Sequence, residues 1–213
     1  MTFDEERKRM VRKLIRGGYV HSPEVIAAME KIPRHVFVDI ERLAYVDSPV
    51  SIGEGQTISA PHMVGMMLEA LDLEGGQKVL EVGGGSGYHA ALVGEIVGEG
   101  GMVISVERIE RLAIKAKKAL ERVGLAEKVR IVVGDGSLGY PDQAPYDRIF
   151  VTCAAPGIPS PLIDQLREGG KLLIPVGGTY LQDLTLAAKK RGKIKRKSYG
   201  GCVFVPLLGK HGF

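Results

Sequence analysis

Apolar positions change period along the chain, and the change divides it. From residue 77 onward, short apolar runs alternate with helical patterns. Lys78-Val79-Leu80-Glu81-Val82 reads as a strand, the glycine run Gly83–Gly87 follows, and a helical pattern covers Tyr88 to Val97. Met102–Val106 is a second strand, with a helix through about Val123. Val129–Val133 and Tyr146–Thr152 are a third and a fourth. A helix near 160–167 leads into a fifth strand, Lys171–Val176. Strand and helix in alternation, with strands apolar throughout, predict an α/β fold. Its sheet is doubly wound, mostly parallel and covered on both faces. Ahead of this core, residues 4–45 read as short helices. Asp4 is placed to cap the first, which runs towards Ile15 and stops at Gly17-Gly18. Ser22-Pro23 opens the second and Pro33 ends it. Residues 46–60 have no clear period and read as irregular. Pro61 opens a helix whose Met63, Met66, Met67, Leu68 and Leu71 share one apolar face. After residue 180 the helices stop. Leu184–Ala188 and Ser198–Leu208 read as antiparallel strands joined by a charged turn. The expected organisation is one domain over 1–213: an N-terminal segment 1–60, an α/β core 61–178 and a C-terminal hairpin extension 179–213.

Composition narrows the picture. The chain has 213 residues, 45% hydrophobic and 25% charged, which is the balance of a globular protein with a sizeable core and argues against disorder. No apolar stretch approaches the ~18 residues that span a bilayer. The charged N-terminus lacks the apolar centre of a secretory signal, so a cytoplasmic location is expected. Two cysteines, Cys153 and Cys202, exclude a disulfide scaffold and a four-cysteine zinc site, and no metal is expected. Formal net charge is +4, but residues 189–197 alone carry +7, so the rest of the chain carries −3. The basic balance therefore belongs to one segment and is weak support for nucleic-acid binding. The absence of Asn, with abundant Glu, Lys and Arg, suits a heat-adapted source.

The candidate chemistry begins at the glycine loop. A strand running into glycines and then a helix is the ligand end of an α/β sheet. The spacing is Glu81-x-Gly83-x-Gly85-x-Gly87. A dinucleotide fingerprint wants its third glycine at 88, which is Tyr88. A carboxylate beside the loop suits a cationic, phosphate-free ligand better than a diphosphate. Glu107 ends the second strand, 20 residues after Gly87, where an acid can accept two hydrogen bonds from a ribose diol. Asp135-Gly136 follows the third strand, and its carboxylate can accept from an adenine amine or simply serve a turn. Together these positions resemble a class I S-adenosylmethionine-dependent methyltransferase, whose cofactor carries a positive sulfonium.

The methyl acceptor is read from the fourth strand and from segments outside the core. Val151-Thr152-Cys153-Ala154-Ala155-Pro156 lacks the Asp/Asn-Pro-Pro-aromatic stretch of amino-directed nucleic-acid methyltransferases. Cys153 has two readings, a nucleophile for pyrimidine methylation or a small buried hydrophobe. The runs Asp47–Gly53, Gln56-Thr57-Ile58-Ser59-Ala60-Pro61-His62-Met63, Gly134–Tyr140, Ala144–Asp147, Ala154–Pro156 and Val203–Leu207 resemble protein-L-isoaspartate O-methyltransferases. The likeness runs from about residue 10 to about 208.

This resemblance implies methyl transfer to the α-carboxylate of L-isoaspartyl residues, giving an ester that collapses to a succinimide and reopens partly to aspartate. It implies terminal segments that cover the peptide site. By resemblance, Ser59 is the active-site hydroxyl. Glu81, Gly83, Gly85, Gly87, Glu107, Asp135 and Gly136 are on the cofactor side. Thr57, Ile58, Ser59, His62, Val205 and Pro206 are on the substrate side. Isoaspartyl proteins and peptides are the expected partners of a monomer, with no obligate nucleic acid and no membrane. Two positions depart from the family pattern: Gly84 stands where Thr or Ser is frequent, and Val64 where some members carry a second His. Bland readings stand beside these roles: Ser59 as the cap of the Pro61 helix, His62 as packing or capping, and 189–197 as a solvated turn. Two other classes compete: an RNA or DNA methyltransferase using Cys153 and the basic segment, and a non-catalytic cofactor-binding module.

Overall fold

The computed structural model describes residues 1–213. Helix α1 (Phe3–Arg16) is capped by Thr2 and not by Asp4: the Thr2 hydroxyl accepts from Glu5 N–H while the Glu5 carboxylate accepts from Thr2 N–H. Asp4 instead pairs with Arg7 and Lys8 along the helix. Gly17 ends α1. Helix α2 (Pro23–Lys31) starts after Ser22 as expected, but the Ser22 hydroxyl does not cap it. That hydroxyl donates to Glu69, which also accepts Ser22 N–H at 2.9 Å. A carboxylate from a neighbouring helix therefore holds the residues that lead into α2, and no side chain caps the helix itself.

Residues 46–60 are more regular than their sequence suggests. They form a small antiparallel hairpin, β1 (Val50–Gly53) and β2 (Gln56–Ile58). Strands of three and four residues are too short to show a period, and the turn is made by Glu54 and Gly55 at positive φ. Helix α3 (Pro61–Leu71) follows directly.

The core elements are β3 (Lys78–Val82), α4 (Tyr88–Val97), β4 (Met102–Glu107), α5 (Glu110–Arg122), β5 (Val129–Val133) and β6 (Tyr146–Val151). Then come α6 (Ser160–Asp164), β7 (Leu166–Gly177), β8 (Gln182–Lys190) and β9 (Lys193–Cys202). The helix expected over 160–167 stops at Asp164, because Leu166 onward joins the sheet opposite Tyr146. The seven strands lie in the order β5-β4-β3-β6-β7-β8-β9, parallel from β5 to β7 and antiparallel beyond. The C-terminal hairpin is longer and tighter than expected: only Arg191 and Gly192 turn, and most of the basic residues lie within strands. Residues 203–208 are not part of β9. They run beside Ala154 through a single parallel bridge to Pro206.

Side-chain alternation splits the core. Val79, Val103, Phe150 and Leu173 face a larger cluster formed with α1 to α5. Leu80, Ile104, Ile149 and Leu172 face a smaller one closed by α6 and by Tyr140, Ala144, Val205 and Leu207. Burial on both faces explains why these strands are apolar throughout. Strand order reverses between β3 and β6. In an open α/β sheet a crevice forms at the carboxyl ends of the strands at that point.

Candidate active site

Those carboxyl ends carry Gly83 after β3 and Thr152-Cys153 after β6. Gly83 has φ +92°, and a Cβ there would stand 2.6 Å from Thr152 Oγ1, so only glycine fits. Thr152 Oγ1 in turn donates to the Gly83 carbonyl. A cavity of about 920 Å³, including its open mouth, lies above this point. Its floor is the glycine loop and Glu81. One wall is Glu107 to Ile109, another is Gln56 to Ser59, and a third is Val205 to Leu208.

The two acids differ. Glu107 accepts Gly85 N–H at 2.8 Å through one oxygen and Ile109 N–H at 2.7 Å through the other. Both oxygens are thus fixed at the cavity wall with lone pairs to spare. Glu81 is completely buried. One of its oxygens accepts from the Ser105 hydroxyl and the other has no partner. Burial pushes its pKa up to about 8, against the Ser105 hydrogen bond and reinforced by nearby Glu107. His89 also lines the cavity with an unpartnered Nε2. Burial, aided by the charge of Arg34, lowers its pKa to about 3, so its ring is neutral.

Of the residues expected at the site, Thr57, Ile58, Ser59, Glu81, Gly83, Gly85, Glu107, Gly136, Val205 and Pro206 line this one cavity. Three do not. Gly87 packs against Ala116 behind the loop. His62 turns to Asp47, which accepts both its N–H and its Nδ1–H at 2.9 Å, and its ring lies against Tyr19. Asp47 thereby also offsets the positive end of α3. Asp135 caps the turn at Gly136–Leu138 and accepts Lys210 N–H at 2.8 Å, so its carboxylate ties down the C-terminal tail. Burial raises its pKa, but the Lys210 and Ser137 hydrogen bonds outweigh that and hold it below the usual carboxylate range.

Ala60, not Ser59, occupies the cap position of α3, so capping does not account for Ser59. The space a side chain at Gly84 would need is filled by the Ser105 hydroxyl that reaches Glu81. Val64 gives the cavity an apolar contact in place of an imidazole. Among the lining residues that the sequence did not single out for the site are Ser86, His89, Arg108 and Thr152. Of these, His89 carried a signal, being an imidazole in the first turn of a helix that is otherwise apolar from Ala90 to Gly94.

Two carboxyl groups, a phosphate-hostile glycine loop and one basic lining side chain, Arg108, suit a cationic nucleoside ligand. The orphaned buried oxygen of Glu81 is consistent with that ligand. Fold and site together define the class: a Rossmann-like methyltransferase of the S-adenosylmethionine-dependent type. Comparison with known proteins agrees and goes further. The family model for protein-L-isoaspartate(D-aspartate) O-methyltransferase matches residues 5–212, and the chain belongs to that family. It is 54% identical to the protein-L-isoaspartate O-methyltransferase of Methanopyrus kandleri, over 99% of this chain and 95% of that one. It is 53% identical to the enzyme of the same name from Hyperthermus butylicus, over 99% and 92% of the two chains. Among solved structures, it resembles a protein-L-isoaspartate O-methyltransferase at TM-score 0.87 and 32% identity, covering 97% of this chain and 67% of that chain. A Plasmodium falciparum structure described as a putative member, in complex with S-adenosyl-L-homocysteine, matches at TM-score 0.86 and 28% identity, covering 95% and 98%.

Proposed function

We propose that this chain transfers a methyl group from S-adenosylmethionine to the α-carboxylate of L-isoaspartyl residues in damaged proteins and peptides. The observation that carries this reading is one cavity in which the acid-bearing glycine loop faces the hydroxyls of 57–59 and the Val205-Pro206 segment. Residues 61–178 hold the cofactor, and the flanking segments 1–60 and 179–213 frame the acceptor. The enzyme works as a monomer in the cytoplasm, without obligate nucleic acid.

When bound, the cofactor supplies an electrophilic methyl on a positively charged sulfur. Glu107, held in place by its two backbone N–H bonds, would accept from the ribose hydroxyls. Glu81 would offer its unpartnered oxygen to the cationic part of the cofactor. Asp135 sets Gly136 against the cavity by capping its turn. The acceptor carboxylate has an ordinary pKa near 4 and arrives ionised at pH 7, so no general base is required. The work of the site is to align the acceptor oxygen and exclude water, because the opposite charges cancel as the methyl moves. Ser59 and Thr57 donate to the carboxylate and orient it. Cys153 takes no part as a nucleophile: its thiol is buried and donates to the Val82 carbonyl, and burial, then Glu107 and Glu81, push its pKa far up. The basic hairpin end lies at the other end of the sheet from the cavity, beyond Lys171 and Arg148, so it does not contact the reacting groups.

Repeated turnover tests the repair outcome. An isoaspartyl peptide incubated with enzyme and cofactor is expected to lose isoaspartyl content while the normal aspartyl peptide appears on chromatography. An unchanged peptide, with methyl groups passing instead to added RNA, would overturn the reading.

A further inference from the structure

Arg34 opens the short helical turn Arg34–Phe37 after α2, and it is completely buried. Its Nε donates to the Ala44 carbonyl at 2.8 Å and one terminal nitrogen donates to the Ser59 carbonyl at 2.7 Å. The other terminal nitrogen makes no hydrogen bond of full geometry, although the Tyr88 hydroxyl is near enough to favour the charged guanidinium. The guanidinium stands 4.9 Å from the centre of the Tyr88 ring. It takes part in none of the ion pairs of the structure. Asp47, the acid whose field reaches it, is half-exposed and already accepts from His62. Burial disfavours the charged form, but a guanidinium starts so high that it stays protonated at neutral pH.

A buried cation without a carboxylate is expensive to keep. This one sits one peptide behind the cavity wall, bonded to the backbone of the residue assigned to orient the acceptor. Aromatic and carbonyl groups partly solvate it but leave its net charge uncancelled. An anion entering the cavity beside Ser59 would supply the missing counter-charge through a short path of low dielectric.

We propose that Arg34 is a positioning residue for the acceptor: it fixes the Ser59 peptide and supplies the buried positive charge that selects a carboxylate over its neutral ester. This rests on the methyl-transfer reading of the site and deepens it. It also gives the enzyme a reason to release product, because methylation removes the charge that Arg34 attracts.

The test compares binding of an isoaspartyl peptide with binding of its α-methyl ester, by competition, in wild type, Arg34→Lys and Arg34→Gln. Wild type is expected to prefer the acid about tenfold or more. Arg34→Gln should bring that ratio close to one and raise KM for the peptide by a similar factor, with cofactor Kd within about twofold. Arg34→Lys keeps the charge and should recover much of the ratio while kcat stays low, since a single nitrogen cannot stand where both guanidinium nitrogens do. A purely structural strut would lower thermal stability in both variants and leave the ratio alone, and that result overturns the proposal. So does a wild type that binds acid and ester equally, a result that needs no variant to fold. Methyl transfer to the isoaspartyl peptide by wild type, with an unchanged ratio in Arg34→Gln, refutes the role of Arg34 alone. No transfer by wild type refutes the site reading and this proposal with it.

Discussion

Two buried arginines stand towards opposite ends of the same sheet and are treated differently. Arg148, on β6, donates to the carbonyls of Leu71, Asp72 and Asp147, and Glu74 lies 3.8 Å from it. Around it, Lys171 pairs with Asp72 at 2.7 Å, and Asp147 accepts Lys78 N–H and pairs with Arg167. Every charge there has a partner. Of five buried polar atoms without one, those of Glu81 and His89 line the cavity, those of Arg34 and Tyr88 lie behind its wall, and the fifth belongs to Arg7 on α1. Buried polar groups are ordinarily satisfied, and exceptions gather where a ligand completes them. The amino end is built for stability, and the carboxyl end is left incomplete for binding.

Substitutions at the two ends should separate those roles. The largest effect is expected for Glu107→Ala, which removes the acceptor of two backbone bonds and the acceptor proposed for the ribose. Cofactor affinity by calorimetry should fall about a hundredfold or more. Arg148→Met leaves three carbonyls unpaired at the amino end. It should cost about 2 kcal/mol of unfolding free energy in a denaturant titration, with cofactor affinity unchanged. Equal loss of affinity would erase the distinction between the ends. Ser59→Ala should lower kcat by about tenfold to a hundredfold, less than the loss of a lone oxyanion-hole donor because Thr57 remains, and leave cofactor Kd alone. Full activity in that variant would remove Ser59 from the mechanism.

Glu81 gives a smaller, pH-dependent signal. Its folded pKa of about 8 lies above its ordinary value, so the free protein holds a proton there that the unfolded chain releases. The stability this contributes is complete below the ordinary carboxylate pKa and is lost as pH rises through 8. A bound cation favours the ionised form. Cofactor affinity should therefore tighten several-fold between pH 6.5 and 8 and then level off, and Glu81→Gln should flatten that profile. The smallest effect belongs to the remote hairpin. Replacing Lys193, Lys195 and Lys197 with Ser should change KM for a neutral isoaspartyl peptide by less than about twofold, because screening over that distance is nearly complete.

Much of the fold was legible because its strands are buried on both faces and its glycines punctuate them. Glu81, Glu107 and the glycine loop share one cavity because local spacing and the parallel order bring them there. The β1–β2 hairpin was hidden by its shortness. The caps were misread because Thr2 does the work that Asp4 looked placed to do, and because Glu69, remote in sequence, draws the Ser22 hydroxyl away from α2. The tie from Asp135 to Lys210 was not legible, because nothing local shows that the C-terminal tail returns to it. Arg34 gave no signal at all: its partners, Ala44 and Ser59, are backbone carbonyls, and carbonyls leave no trace in a sequence.

The most direct test of the account is methyl transfer from labelled S-adenosylmethionine to two peptides that differ only at one residue, isoaspartyl in one and aspartyl in the other. The account predicts base-labile label on the isoaspartyl peptide and none above background on its twin. Equal label on both, or label on neither with cofactor binding intact, would contradict it.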